Sequence, residues 1–168
     1  MNMKTIMLNN KTIKYLPEKY IVSIYNELKG LNGIYPGFNN WYFNSVVNGL
    51  NLNSRSIVLK INGSNIMALA ILKDTIEEKK ICTLFVKNKF KGLGIGRDLM
   101  SQCLYTLDYP KPIITISANR MKEFKTLIKE FDFKLFEEYK SYYVNGLDEY
   151  SFNGLLTDSE IKQSFEAI

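Results

Sequence analysis

An α/β fold on a central mixed sheet is what this sequence predicts, and three observations predict it. Apolar runs rich in β-formers alternate with helix-periodic stretches along a chain of 168 residues. A glycine-rich segment, Lys91-Gly92-Leu93-Gly94-Ile95-Gly96-Arg97, stands between one such run and an amphipathic helix pattern. The last part of the chain then changes to two β-type runs about Asn145-Gly146, the turn dipeptide of a two-residue hairpin.

Taken in order, residues 12–16 read as a strand, and Pro17-Glu18 places a proline and an acid in the first turn of a helix. Ile21, Val22, Ile24, Tyr25 and Leu28 keep helical spacing up to a stop at Gly30. Residues 5–8 carry a fainter strand pattern, joined on through Asn9-Asn10. Residues 32–43 hold turn formers and the single tryptophan, which marks a loop; Trp41, Phe43, Val46 and Val47 then mark a short second helix. Residues 56–61 and 66–73 form a hairpin about Asn62-Gly63-Ser64-Asn65, and a charged turn leads into the strand Ile81-Cys82-Thr83-Leu84-Phe85-Val86.

Behind the glycines, Leu99, Met100, Cys103, Leu104 and Leu107 share one helix face. Tyr109-Pro110-Lys111-Pro112 breaks the chain before a strand at 113–117. A helix over about 119–130 follows, with Met121, Phe124, Leu127, Ile128 and Phe131 as its apolar face. Residues 134–144 and 147–153 are the closing hairpin, and residues 158–168 have a weakly amphipathic helix pattern. The expected organisation is one domain over 1–168, with its core over about 12–153, a tail over 154–168 and about four helices.

Composition narrows the chemistry. With 46% hydrophobic and 23% charged residues the chain has an ordinary globular composition. No apolar run approaches the eighteen or so residues that span a bilayer, and residues 1–8 lack the apolar core of a signal peptide. The expectation is a cytoplasmic protein with no membrane partner. Cys82 and Cys103 fall on a strand and a helix and read as small core residues. With no histidine and only two cysteines no metal site is expected, and a histidine-based triad is ruled out. A general base must be a carboxylate, a tyrosine, a lysine or water. The net charge of +5 and pI near 9.0 fit coenzyme phosphates, nucleic acid or a solvated lysine surface.

The glycine segment is suited to phosphate, because glycine lets the backbone approach a ligand and the first amides of a helix have no partner within it. A Walker loop would need Gly-x4-Gly-Lys-Ser/Thr, yet five residues after Gly92 comes Arg97. A dinucleotide fingerprint would need Gly-x-Gly-x-x-Gly, and neither Gly92/Gly94 nor Gly94/Gly96 leads to a third glycine. The segment instead resembles the acyl-coenzyme A loop of the GCN5-related N-acetyltransferases (GNAT superfamily), Gln/Arg-x-x-Gly-x-Gly/Ala after a strand ending in valine. Lys91 stands at the Gln/Arg place and keeps the positive charge, Gly94 and Gly96 are the small positions, and Val86 is the valine. The order of elements is similar to that fold from residue 12 to about 153.

The resemblance implies a twisted mixed sheet with two splayed strands and acetyl-CoA as co-substrate. Its pantetheine arm would pair with Phe85 and Val86, and its pyrophosphate would rest on Lys91 and on the amides of Gly92, Leu93, Gly94, Ile95, Gly96 and Arg97. Ser117 and Asn119 match positions that touch coenzyme, or else cap the next helix. Tyr35, Phe38, Trp41 and Tyr42 either wall the acceptor pocket or seal the core beneath a loop.

The family's usual glutamate place is Lys80 here. Glu78, of the same side-chain parity, is the candidate base, against a reading as a solvated turn residue. The usual tyrosine acid falls at Ile128, which cannot donate a proton. That leaves Tyr139, Tyr142 or Tyr143, or Ser117, or an unassisted thiolate; strand alternation puts Tyr139 and Tyr143 on one face and Tyr142 on the other. The implied function is transfer of acetyl to a primary amine by direct attack, with a small molecule, a protein or aminoacyl-tRNA as acceptor. The alternatives are a toxin-like enzyme modifying nucleic acid or aminoacyl-tRNA, and a coenzyme-binding module without catalysis. A homodimer stays open.

Overall fold

The computed structural model describes residues 2–12, 14 and 18–157. The elements are β1 (Met3–Leu8), α1 (Glu18–Leu28), a 3-10 turn Lys29–Gly33, and a second helix. This α2 starts as Phe38–Asn40, runs through a π-helical stretch at Trp41–Val47 and ends as Asn48–Asn51. Then come β2 (Arg55–Asn62), β3 (Asn65–Asp74), β4 (Lys79–Val86), α3 (Ile95–Leu107), β5 (Ile113–Ser117), α4 (Met121–Glu130), β6 (Leu135–Val144) and β7 (Leu147–Phe152). All seven strands form one sheet in the order β1-β2-β3-β4-β5-β7-β6, antiparallel except for the parallel β4–β5 pair. This is the mixed α/β sheet with four helices that the sequence predicts.

Helices cover both faces, so the central strands are apolar almost continuously; residues 66 to 72 of β3 are all buried. One core packs Val58, Met67, Ala70 and Leu72 beneath Leu99, Met100 and Cys103 of α3 and Phe124 of α4. The other packs Ile57, Leu59, Leu69 and Ile71 beneath Ile24 and Leu28 of α1 and Phe38, Tyr42 and Val46 of α2. Cys103 is fully buried, and burial pushes its thiol up to about 12.

The first strand differs from expectation. Thr12 lies in a turn, its N–H donating to the Asn9 carbonyl at 3.1 Å. Ile13, Tyr15, Leu16 and Pro17 lie outside the described residues, as does the helix pattern at 158–168. The strand is the fainter segment, Met3–Leu8, because β2 offers it a full antiparallel edge from Asn62 back to Ile57. The second helix is also longer than its apolar marks, since Asn39, Asn40, Asn44 and Asn48 form its exposed side.

A splayed-strand cavity as the candidate active site

The site begins where β4 and β5 part. Their ladder comprises Lys80↔Ile113 and Ile81↔Ile114, after which the two strands are no longer paired among the described residues. Two features of β4 shape the opening. Ile71 pairs with Thr83 but Leu72 with Ile81, so Cys82 is the extra residue of a β-bulge. The Lys87 N–H donates to the Met67 carbonyl at 3.0 Å. Because bonded pairs alternate along an antiparallel ladder, Thr83 and Phe85 turn their backbone groups to β3, and Leu84 and Val86 turn theirs into the gap. Of the two predicted partners for an extended arm, Val86 thus offers its N–H and C=O to the gap; at the other position it is Leu84, not Phe85, that does so.

At the open end of β4 lies the glycine loop. Gly92 and Gly94 have φ of 79° and 76°, the left-handed region that glycine adopts without strain, and a Cβ on either would meet nothing within 4 Å. Gly94 caps α3 with no side-chain bond, and the first helical bond is Asp98 N–H to the Gly94 carbonyl at 3.1 Å. The amides of Ile95, Gly96 and Arg97 therefore have no acceptor inside the helix, which fits a pyrophosphate. Ile95 is itself buried, Leu93 is exposed, and Gly96 is where α3 approaches Val86 and Leu127. Lys91 pairs with Glu123 of α4 at 3.1 Å, and Arg97 pairs with Glu130.

The gap continues inward as a cavity of about 100 Å³. Leu31, Tyr35, Phe38 and Trp41 wall it on one side, Lys80 to Leu84 and Ile114-Thr115 form the strand side, and Arg120, Phe124 and Tyr143 close it. Arg120 spans the splayed strands: its Nη2 donates to the Leu84 carbonyl at 3.3 Å, its guanidinium lies 5.1 Å from the Phe124 ring, and Glu123 is 3.9 Å away.

Behind Tyr35 lies Glu149 of β7, 2% exposed, which the β5–β7 ladder sets opposite Ser117. The Tyr35 hydroxyl meets its Oε1 at 3.5 Å. Burial pushes the Glu149 carboxyl up to about 7, against the opposing pull of a Thr115 hydrogen bond, the Lys80 charge, the Tyr35 hydroxyl and the Arg120 charge. Burial also pushes Tyr35 up to about 12, with the Glu149 charge acting in the same direction and Ser117 and Arg120 opposing.

The other predicted residues divide. Tyr35, Phe38, Trp41 and Tyr143 share the cavity, with Tyr143 edge-on to Tyr35 at 5.1 Å. Tyr42 is fully buried in the second core and donates to the Ile21 carbonyl at 2.8 Å. Ser117 is buried and bonded to Asn119 at 2.8 Å, next to the Tyr35 hydroxyl. Glu78 is outside the cavity: it lies just before β4, at the end where β4 and β5 are paired, and its buried carboxylate meets Lys73 at 2.6 Å. Tyr139 accepts the Leu156 N–H at 3.2 Å, outside the cavity lining.

Nor do the three hairpin tyrosines alternate as expected. Ser141 sits at φ 49° within a register shift between Tyr139 and Val144, and the Tyr142 ring lies 5.0 Å from Tyr139 and 4.5 Å from Tyr143. Sequence reasoning missed Glu149 and Arg120. A signal for Glu149 exists: Asp148 and Glu149 are successive acids in a strand, and if both faces are covered one acid must be buried.

Splayed parallel strands, a glycine loop at their open end and a buried carboxyl beside the gap make up the candidate active site. Residues 46–149 match the family model described as "Acetyltransferase (GNAT) domain". The chain belongs to the GNAT acetyltransferase family. No match was found among curated protein sequences. Among solved structures it is similar to a GNAT-family protein from Desulfovibrio desulfuricans, with a TM-score of 0.66 and 14% identity over 89% of this chain and 96% of that one. It is similar also to a GNAT family acetyltransferase from Elizabethkingia anophelis with acetyl-CoA bound, with a TM-score of 0.51 and 18% identity over 60% and 76% of the two chains. The ribosomal-protein-S18-alanine N-acetyltransferase of Escherichia coli gives a TM-score of 0.51 and 14% identity over 62% and 73%. At these identities the likeness is one of fold. Among the described residues, no helix is long and apolar enough to cross a membrane.

Proposed function

We propose that this protein transfers an acetyl group from acetyl-CoA to a primary amine by direct attack, with Glu149 as the proton acceptor acting through Tyr35. The observation that carries this reading is the buried Glu149 carboxyl, held near pH 7, behind a hydroxyl that lines the cavity between the splayed strands. Acetyl-CoA supplies the thioester; the amine nitrogen bonds to its carbonyl carbon, the carbon–sulfur bond breaks, and coenzyme A leaves as the thiolate, which takes its proton from water.

The chain's own groups account for the rest. Leu84 and Val86 pair with the pantetheine arm, which displaces Arg120 from the Leu84 carbonyl. Lys91 and the free amides of Ile95, Gly96 and Arg97 hold the pyrophosphate. As the new carbon–nitrogen bond forms, the nitrogen loses a proton to the Tyr35–Glu149 pair; a base with pKa near the working pH is the effective kind. The cavity rings exclude water from the reacting carbonyl. Cys82 and Cys103 are thiols rather than disulfide partners, which fits a reducing, cytoplasmic setting.

The test has two parts. Calorimetric titration should give saturable acetyl-CoA binding that is lost in Gly94→Asp. Thiol release should then depend on an added amine and fall in Glu149→Gln. Absence of acetyl-CoA binding would overturn the coenzyme assignment. Binding with no amine-dependent release, across amines of every charge type, would leave a coenzyme-binding module.

A further inference from the structure

A buried lysine ties the sheet to the start of α3. Lys60 of β2 is 2% exposed and follows Ile57, Val58 and Leu59, all buried and apolar. Strand alternation puts it on the face of Val58, which packs in the core beneath α3. Its ammonium donates to the Thr5 hydroxyl of β1 at 2.7 Å and meets Asp98 Oδ2 of α3 at 2.6 Å. Its charge also acts on the buried Cys103 thiol further along α3.

Taking an ammonium out of water is costly, and an apolar side chain of similar length would fill this place without that cost. Packing alone therefore gives no reason for the charge, whereas the position of Asp98 does. Asp98 is the acid in the first turn of α3, four residues after the Gly94 cap whose carbonyl accepts its N–H. Helical side chains lean toward the N-terminus, so its carboxylate lies alongside the turn that leaves the Ile95, Gly96 and Arg97 amides for a pyrophosphate.

An uncompensated carboxylate there would repel the pyrophosphate and oppose the positive end of the helix. The loop's own cations give limited relief, because Lys91 is shared with Glu123 and Arg97 with Glu130 of α4. Lys60 comes from the sheet side, neutralises Asp98 and holds it toward β2.

We propose that Lys60 is a positioning residue for the coenzyme: by neutralising and holding Asp98 from within the core, it keeps the start of α3 attractive to the pyrophosphate. This rests on the acetyl-transfer reading and deepens its coenzyme site. Lys60 touches neither the acyl group nor the amine, so its effect belongs to coenzyme affinity.

The experiment titrates Lys60→Met, Asp98→Asn, the double variant and the parent with acetyl-CoA by calorimetry at low and high salt, and melts each without ligand. Lys60→Met should bind acetyl-CoA about fivefold or more weakly at low salt and lose less at high salt. Its melting temperature should equal or exceed the parent's, because the buried cation is gone and the half-exposed Asp98 is rehydrated. Asp98→Asn should bind at least as well as the parent yet melt lower, since it leaves a buried ammonium without its carboxylate. The double variant should recover parental affinity to within about threefold, a rescue that loss of packing would not give.

Parental affinity in Lys60→Met, or a loss that Asp98→Asn does not rescue, overturns the proposal and leaves the acetyl-transfer reading standing. Weaker binding by Asp98→Asn alone overturns it too, and that variant decides the matter where Lys60→Met does not fold. A parent protein that does not bind acetyl-CoA overturns both.

Discussion

The Tyr35 hydroxyl meets Glu149 Oε1 at 3.5 Å across 114 residues of chain, joining the loop after α1 to the strand that borders β5. If this pair accepts the amine proton, kcat/KM must rise as Glu149 ionises, with the rising limb centred near pH 7. Glu149→Gln keeps the shape and removes the base, so turnover should fall by about 10²–10⁴-fold and that limb should flatten. Acetyl-CoA affinity should stay unchanged. A pH–rate profile of the variant that keeps the same limb at near-parental turnover would assign the base elsewhere.

The same carboxyl should cost stability. Its folded value of about 7 lies above the ordinary glutamate value of about 4.3, so the folded state binds the proton more tightly than the unfolded chain. The sign follows: folding is favoured below both values, and stability is lost as pH rises from about 4.3 to about 7. Glu149→Gln removes that penalty and should be more stable than the parent by about 1–3 kcal/mol at pH 8, with no gain at pH 4. Denaturant titrations at the two pH values check this, and a pH-independent difference would contradict it.

How much of this was legible in the sequence depends on the range of the interactions. The glycine loop, the hairpin at Asn145-Gly146 and the run 66–73 are local patterns, and the structure places each where its residues indicate. The sheet order is not local. Placing β7 rather than β6 beside β5 brings Glu149 opposite Ser117, and no spacing along the chain encodes that choice. Alternation failed in β6 because Ser141 takes up a left-handed conformation that no glycine announces. Glu78 read as a solvated turn residue or a base, and its burial against Lys73 became visible only in three dimensions. Arg120 looked like one of many basic residues in a lysine-rich chain until the splay of β4 from β5 set it across the gap.

Of the hairpin tyrosines, Tyr143 lines the cavity and Tyr139 holds the Leu156 N–H instead. Tyr143→Phe should therefore alter acceptor KM or turnover, while Tyr139→Phe should leave both unchanged and lower stability by about 1 kcal/mol through its lost hydrogen bond. Kinetics paired with thermal melts separate the two outcomes.

Glu123 holds Lys91 at 3.1 Å and reaches toward Arg120, so it competes with the pyrophosphate for the lysine. Removing an exposed competitor has a small effect: Glu123→Gln should tighten coenzyme A binding roughly twofold to fivefold, more at low salt than at high. Lys91→Ala should weaken binding, and Lys91→Arg should largely preserve it. Equal affinities for all three and the parent, measured by calorimetry at two salt concentrations, would make this ion pair an ordinary surface contact.

Gly96 separates folding from binding more sharply than the other loop glycines. Gly92 and Gly94 have positive φ, so any side chain there strains the backbone and confounds a loss of affinity with a loss of structure. Gly96 lies in the first turn of α3, and a Cβ there would sit 3.6 Å from Val86 Cγ2 and 3.8 Å from Leu127 Cδ1, ordinary contact distances. Gly96→Ala should thus fold as well as the parent, and gain up to about 1 kcal/mol from helix propensity. The added methyl lies between the start of α3 and the gap-facing strand end at Val86, on the path proposed for the coenzyme. Ligand-induced stabilisation grows with the ratio of ligand concentration to Kd. The melting temperature of Gly96→Ala without ligand should therefore equal or exceed that of the parent, while its shift on adding acetyl-CoA should shrink. An undiminished shift would mean that the coenzyme does not pass this glycine.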